Sequence, residues 1–142
     1  MDSVDGALRT DGGSKTKGQR MKVTEIAFTV YPATDLKRAR QFYEGTLGLV
    51  ASRSFGDDKK GFVEYDIGAG TLAIGAGAPS FKPSAGGGCA ALEVNDFPAA
   101  VKRLRESGVK FLIEPAETPV CHIVIVSDPD GNSVMIHKRK AG

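Results

Sequence analysis

The feature that most constrains this chain is an internal repeat. One strand pattern, one capped helix and three further strand patterns occur twice in 142 residues, at about 22–78 and again at 86–140. In the first copy the run VTEIAFTVY (residues 23–31) is rich in β-branched and aromatic residues, and Ile26, Phe28 and Val30 alternate with Glu25, Ala27 and Thr29. Asp35 suits an N-cap, after which Leu36, Ala39, Phe42 or Tyr43, and Leu47 recur at helical spacing until Gly48. Strands are predicted at 49–55, 62–67 and 71–75, punctuated by the turn formers GDDKKG and GAG. The second copy opens on CAALEV, caps with Asp96, and carries the stripe Phe97, Val101, Leu104 up to Gly108. Its later strands are predicted at 109–114, 120–126 and 133–138, the last two joined by DPDGN. A sheet with a helix on one face leaves its other face uncovered. Two such units are therefore expected to close around a shared hollow, giving both a core and a pocket.

Composition narrows the partners. A hydrophobic share of 41% supports one core, so residues 22–140 are expected to form one domain. Residues 1–21 mix charges with Gly, Ser and Thr and are expected to be a disordered tail. A net charge of +2 provides no basic field for nucleic acid or an anionic membrane. No apolar run reaches membrane-spanning length, and the start lacks the basic-then-apolar order of a secretory signal, so a cytoplasmic location is expected. Cys89 and Cys121 are too few for a disulfide framework and are expected to be reduced. The partner implied by this balance is a small molecule.

Two phrases carry a resemblance. TDLKRARQFYEGTLGL resembles the first-helix signature of the vicinal oxygen chelate superfamily, which includes glyoxalases, bleomycin-resistance proteins and extradiol dioxygenases, and SDPDGNSVMIHK resembles its closing hairpin and strand. Together with the repeat, the similarity spans roughly residues 22–140. It implies an α+β fold of two βαβββ modules forming a cupped mixed sheet with helices on the outer face, commonly as a homodimer. In metal-dependent members the ligands come from the opening and closing strands of each module. Carried over by position, Glu25 and Cys89 stand at the opening positions, and Ala73 and Met135 at the closing ones. Ala73 offers no donor and Met135 only a soft thioether, so half of the usual set is missing.

The remaining chemistry is judged on residue type and strand parity. Glu25 shares a face with Thr29, opposite the apolar set, and is expected to point into the hollow as a base; Glu64 and Glu93 are weaker versions of the same idea. His137 lies two residues after Met135 on one strand face, and His122 on the neighbouring strand is near it across the ladder. Cys89 after three glycines invites a nucleophile reading, against the commoner role of a small apolar filler. A metal held by Glu25, Cys89 and the two histidines would mix hard and soft donors without compact spacing, so no metal or other cofactor is expected. The leading expectation is a metal-independent protein that holds a small molecule through Glu25, Thr29, Glu64, Cys89, Glu93, His122, Met135 and His137, with Glu25 and His137 as the candidate acid–base groups. Two alternatives stay open: a metal-dependent lyase or isomerase of glyoxalase type, and a drug-sequestering resistance protein.

Overall fold

Asp35 and Asp96 set the frame of the two modules. Each carboxylate accepts a backbone N–H three residues on, Arg38 at 3.3 Å and Ala99 at 3.0 Å, and each starts a helix at the next residue. In the computed structural model, which describes residue 22 and residues 24–79 and 81–141, the first module runs β1 (Thr29–Ala33), α1 (Leu36–Arg40), β2 (Arg53–Gly56), β3 (Gly61–Ile67) and β4 (Gly70–Ala76). The second runs β5 (Ala90–Glu93), α2 (Phe97–Glu106), β6 (Phe111–Glu117), β7 (Cys121–Ser127) and β8 (Ser133–Arg139). The tail expected to be disordered lies outside the described residues. α1 continues as a π-helical turn over Gln41–Thr46, and the wider turn lets the adjacent rings of Phe42 and Tyr43 both enter the core. Gly48 then reverses the chain with a φ of 77°.

Each module is a four-stranded mixed sheet, in the orders β1-β4-β3-β2 and β5-β8-β7-β6. The opening strand pairs parallel with the closing one, the other pairs are antiparallel, and β1 and β5 are edge strands. The fold is therefore α+β with two βαβββ modules, as the repeat predicts.

The opening strand differs from its prediction in extent and in face. Strand geometry covers Thr29–Ala33 rather than 23–31. Tyr31 and Ala33 are the residues that bury in the core, while Ile26 and Phe28 stay 81% and 44% exposed. The odd-numbered face of β1, including Thr29, thus looks toward the helices. The physical reason is that Tyr31 has a use for its polar tip: its hydroxyl donates to the Ser133 carbonyl at 2.6 Å and accepts the Ala90 N–H at 2.5 Å, so the whole ring can be buried. The two copies also align differently. Val30 lies opposite Ala73 and Ala91 opposite Met135, which makes Phe28 the counterpart of Cys89 and Gly86 the counterpart of Glu25. The capping aspartates are 61 positions apart, whereas Glu25 and Cys89 are 64 apart.

The modules share one core. Tyr31, Phe42, Tyr43, Tyr65 and Ile74 from the first cluster with Leu104, Val124, Val134 and Ile136 from the second. A buried polar knot joins them where the β7–β8 turn meets α1. Asp128, 4% exposed, accepts the Tyr43 hydroxyl and the Asn132 amide through Oδ2, both at 2.8 Å, and the N–H groups of Asp130 and Asn132 through Oδ1. The Asn132 amide also donates to the Pro32 carbonyl at 2.8 Å. Asp130 Oδ1 takes Thr34 and Arg38 of the first module.

All three tyrosines of the chain lie in this core, at 5% or less exposure. Burial pushes each phenol up, Tyr31 to about 12, with the Asp128 carboxylate adding to the rise at Tyr43. The fold holds the neutral form, so this contribution is complete below the ordinary phenol value of 10.0 and is lost as pH rises from there toward about 12. In an alkaline titration, phenolate absorbance is expected to rise together with loss of the circular dichroism signal. Phenolates forming near pH 10.0 in a chain that stays folded would contradict this packing.

Candidate functional site

The face of sheet two that carries no helix brings three of the predicted residues together. Met135 and His137 share one side of β8, opposite Ile125 and Ile123 of β7, and Glu93 of β5 pairs with His137. His137 Nδ1 is 2.6 Å from Glu93 Oε1, and Glu93 Oε2 accepts the Arg139 backbone N–H at 2.8 Å. The Arg139 N–H first, and the His137 ring second, hold the Glu93 carboxyl below the usual carboxylate range. An ionised carboxylate only accepts, so the imidazole donates from Nδ1 and presents Nε2 as its free acceptor.

His122 is not part of this group. It pairs with Lys138, on the opposite side of β7, and its ring lies 5.5 Å from that of Phe97 at the start of α2. One residue of register separates the two histidines, and it puts them on opposite faces. Glu25 lies outside any strand and is exposed. Glu64 projects from the helix-free face of sheet one, where the Arg53 guanidinium donates to it at 2.5 Å and to Asp66 at 2.9 Å.

The modules share hollows along the seam where β1 and β5 adjoin. One of about 360 Å³ is lined by Ile26, Thr29, Thr71, Ala91 and Glu93 among others, so it joins Thr29 to Glu93. Another of about 300 Å³ joins Thr29 to Cys89, beside Tyr31, Lys82 and Asn132. Neither contains Met135 or His137. Residues that sequence reasoning passed over complete the helix-free face of sheet one: Phe28 packs edge-on against Phe62 at 5.7 Å, and a Cβ at Gly75 would lie 3.1 Å from the Phe62 ring and 3.9 Å from Val30. Aligning the copies on Asp35 and Asp96 would have placed Phe28 there.

The model of the Glyoxalase/Bleomycin resistance protein/Dioxygenase superfamily matches residues 25–136. The chain belongs to this superfamily. Solved structures with the same fold include an antibiotic-binding protein of Streptomyces sp. CB03234, 23% identical, covering 85% of this chain and 100% of that one at a TM-score of 0.69. A glyoxalase/bleomycin resistance protein of Streptomyces sp. CB03234 is 25% identical over 79% and 98% of the two chains, with a TM-score of 0.64. A lactoylglutathione lyase of Agrobacterium tumefaciens is 20% identical over 82% and 95%, with a TM-score of 0.65. No curated protein matches the sequence.

Many superfamily members use a divalent metal, and the residues here do not fit one. By the alignment of the two copies, the positions just before the opening strands hold Phe28 and Cys89, and those within the closing strands hold Ala73 and Met135. That set offers a phenyl ring, a methyl group, a thiol and a thioether. It has no oxygen or imidazole donor for a hard or borderline cation. Among the described residues, no group of three or more His, Cys, Asp or Glu is placed to hold a metal ion, and no helix is long and apolar enough to cross a membrane.

The Glu93–His137 geometry has a titration signature. In a carbon-detected NMR titration the Glu93 carboxyl is expected to titrate below 4.5, and His137→Ala to move it only part of the way back, because the Arg139 N–H remains. A depressed carboxyl favours the folded state above its ordinary value and loses that contribution as pH falls. Full return to 4.5 in His137→Ala would contradict the ranking of the two causes.

Proposed function

We propose that this protein binds an apolar small molecule without a metal, using the helix-free face around Met135, Glu93 and His137 together with the adjoining seam hollow that contains Thr29. The observation that carries the reading is the imidazole of His137 held at 2.6 Å by the Glu93 carboxylate beside Met135 and two isoleucines on the helix-free face; the donor-poor set Phe28, Ala73, Cys89 and Met135 supports it. Ile123, Ile125 and Met135 supply an apolar floor, and His137 Nε2 is the one directed polar group on it, suited to a ligand hydroxyl. The same nitrogen is the group that would take a proton in any turnover, with Glu93 orienting the ring through Nδ1. The antibiotic-binding relative supports a ligand of drug size. A homodimer is part of the proposal, because Ile113, Phe55 and Val120 remain 47%, 57% and 71% exposed on one chain and a second copy would cover them.

Two measurements test this. A thermal-shift panel of Mn, Ni, Zn and Fe salts is expected to give no stabilisation, whereas saturable stabilisation by any of them would favour the metal-dependent lyase reading. In the second, naphthol is expected to bind more tightly than its methyl ether, and His137→Ala to remove that preference by weakening naphthol about tenfold, the equivalent of one hydrogen bond. Equal affinities in the unmodified protein would remove His137 from ligand recognition.

A further inference from the structure

The two sides of the seam are related by the repeat but are filled differently. On one side Tyr43 reaches from α1 to Asp128, and Asn132 of the β7–β8 turn closes the gap between the modules. The pairings that align the copies make Leu104 the counterpart of Tyr43 and Gly70 the counterpart of Asn132. On the second side, therefore, a shorter apolar side chain replaces the tyrosine and the turn Gly68–Gly70 carries no plug. Backbone geometry does not demand glycine at Gly70: its φ is not positive, and an added Cβ would meet only the Ile67 carbonyl oxygen, at 3.7 Å.

A cavity of about 220 Å³ lies on this side, walled by Leu47, Leu49, Leu92, Leu104 and Ile136, with Ala100 on the α2 side and Glu93 at the edge it shares with the Met135–His137 face. Arg103 forms part of its rim, and its guanidinium is held by the Gly45 carbonyl at 2.7 Å. Because the walls come from both modules and from both helices, the space cannot collapse without moving the shared core. A dry apolar cavity of about 150 Å³ already accepts benzene.

We propose that this seam cavity is a second binding site, for an uncharged single-ring or short alkyl group, bordering the Met135–His137 face at Glu93 and containing neither Met135 nor His137. The proposal does not rest on the reading of that face. The walls are mostly apolar; of the polar groups at Thr46, Glu93 and Arg103, the guanidinium is engaged by the Gly45 carbonyl and the carboxylate by His137 and the Arg139 N–H, which selects against charged or strongly hydrated molecules. Since it touches α1, α2, β5 and β8 at once, an occupant ties the modules to each other as Asp128 and Asn132 do on the other side.

The probe for the test is 4-fluorotoluene, followed by fluorine NMR and by nuclear Overhauser effects to methyl groups. Saturable binding is expected, with contacts to the methyls of Leu49, Leu104 and Ile136 in the unmodified protein. Ala100→Phe, which fills the cavity, is expected to weaken binding at least about tenfold. Absence of saturable binding, or contacts to Ile125 or Met135 instead, would overturn the seam site. The methyl contacts are read in the unmodified protein, so they decide the matter even where Ala100→Phe does not fold.

Discussion

The Asp128 carboxylate is the constraint on which the rest of the structure depends. It is buried and has four protein donors, one of which, the Tyr43 hydroxyl, comes from the other module. A carboxylate removed from water without such partners would cost several kcal/mol, about the size of a small domain's whole stability. The knot therefore permits one relative placement of the modules. Through Pro32 and Asn132 it fixes the end of β1 against the β7–β8 turn, and the Tyr31 hydroxyl, with its own partners, holds β1 beside β5 and β8. The seam hollows, and the position of Glu93 at their edge, follow from that placement.

Chemistry on this scaffold is defined by what the strands present. The superfamily architecture brings opening and closing strands side by side, a geometry suited to four converging ligands. Here those positions hold apolar or soft side chains, and the directed polar group sits two residues along β8, at His137. Gly75 occupies the corresponding place on β4 and Pro32 corresponds to Glu93, so only the second module carries the imidazole–carboxylate pair. The two halves of the molecule are alike in fold and unlike in chemistry.

Much of the architecture could be read from the chain because it rests on local rules. Asp35 and Asp96 cap helices, the stripes from Leu36 and Phe97 face the core, and DPDGN turns a hairpin, all from short-range patterns. What failed was parity. In VTEIAFTVY the apolar alternation points to Ile26, Phe28 and Val30 as the buried set, but Tyr31, with a hydroxyl that finds two partners in the other module, reverses the face. That information lies about 60 and 100 residues away in sequence, beyond any window of periodicity. The same applies to His122 and His137, whose faces depend on the β7–β8 register, which sets His122 opposite Lys138 and Ile123 opposite His137. DPDGN was legible as a turn and silent as an inter-module lock, because its partner Tyr43 is a packing ring by local pattern alone.

A double-mutant cycle of Tyr43→Phe and Asn132→Ala, read by equilibrium denaturation, tests the role of the Asp128 knot most directly. One cooperative transition is expected for the unmodified protein, with a loss of about 1–3 kcal/mol in each single variant and non-additivity of at least about 0.5 kcal/mol, because both side chains serve the same oxygen. Strictly additive losses, or two separate transitions already present in the unmodified protein, would contradict that role.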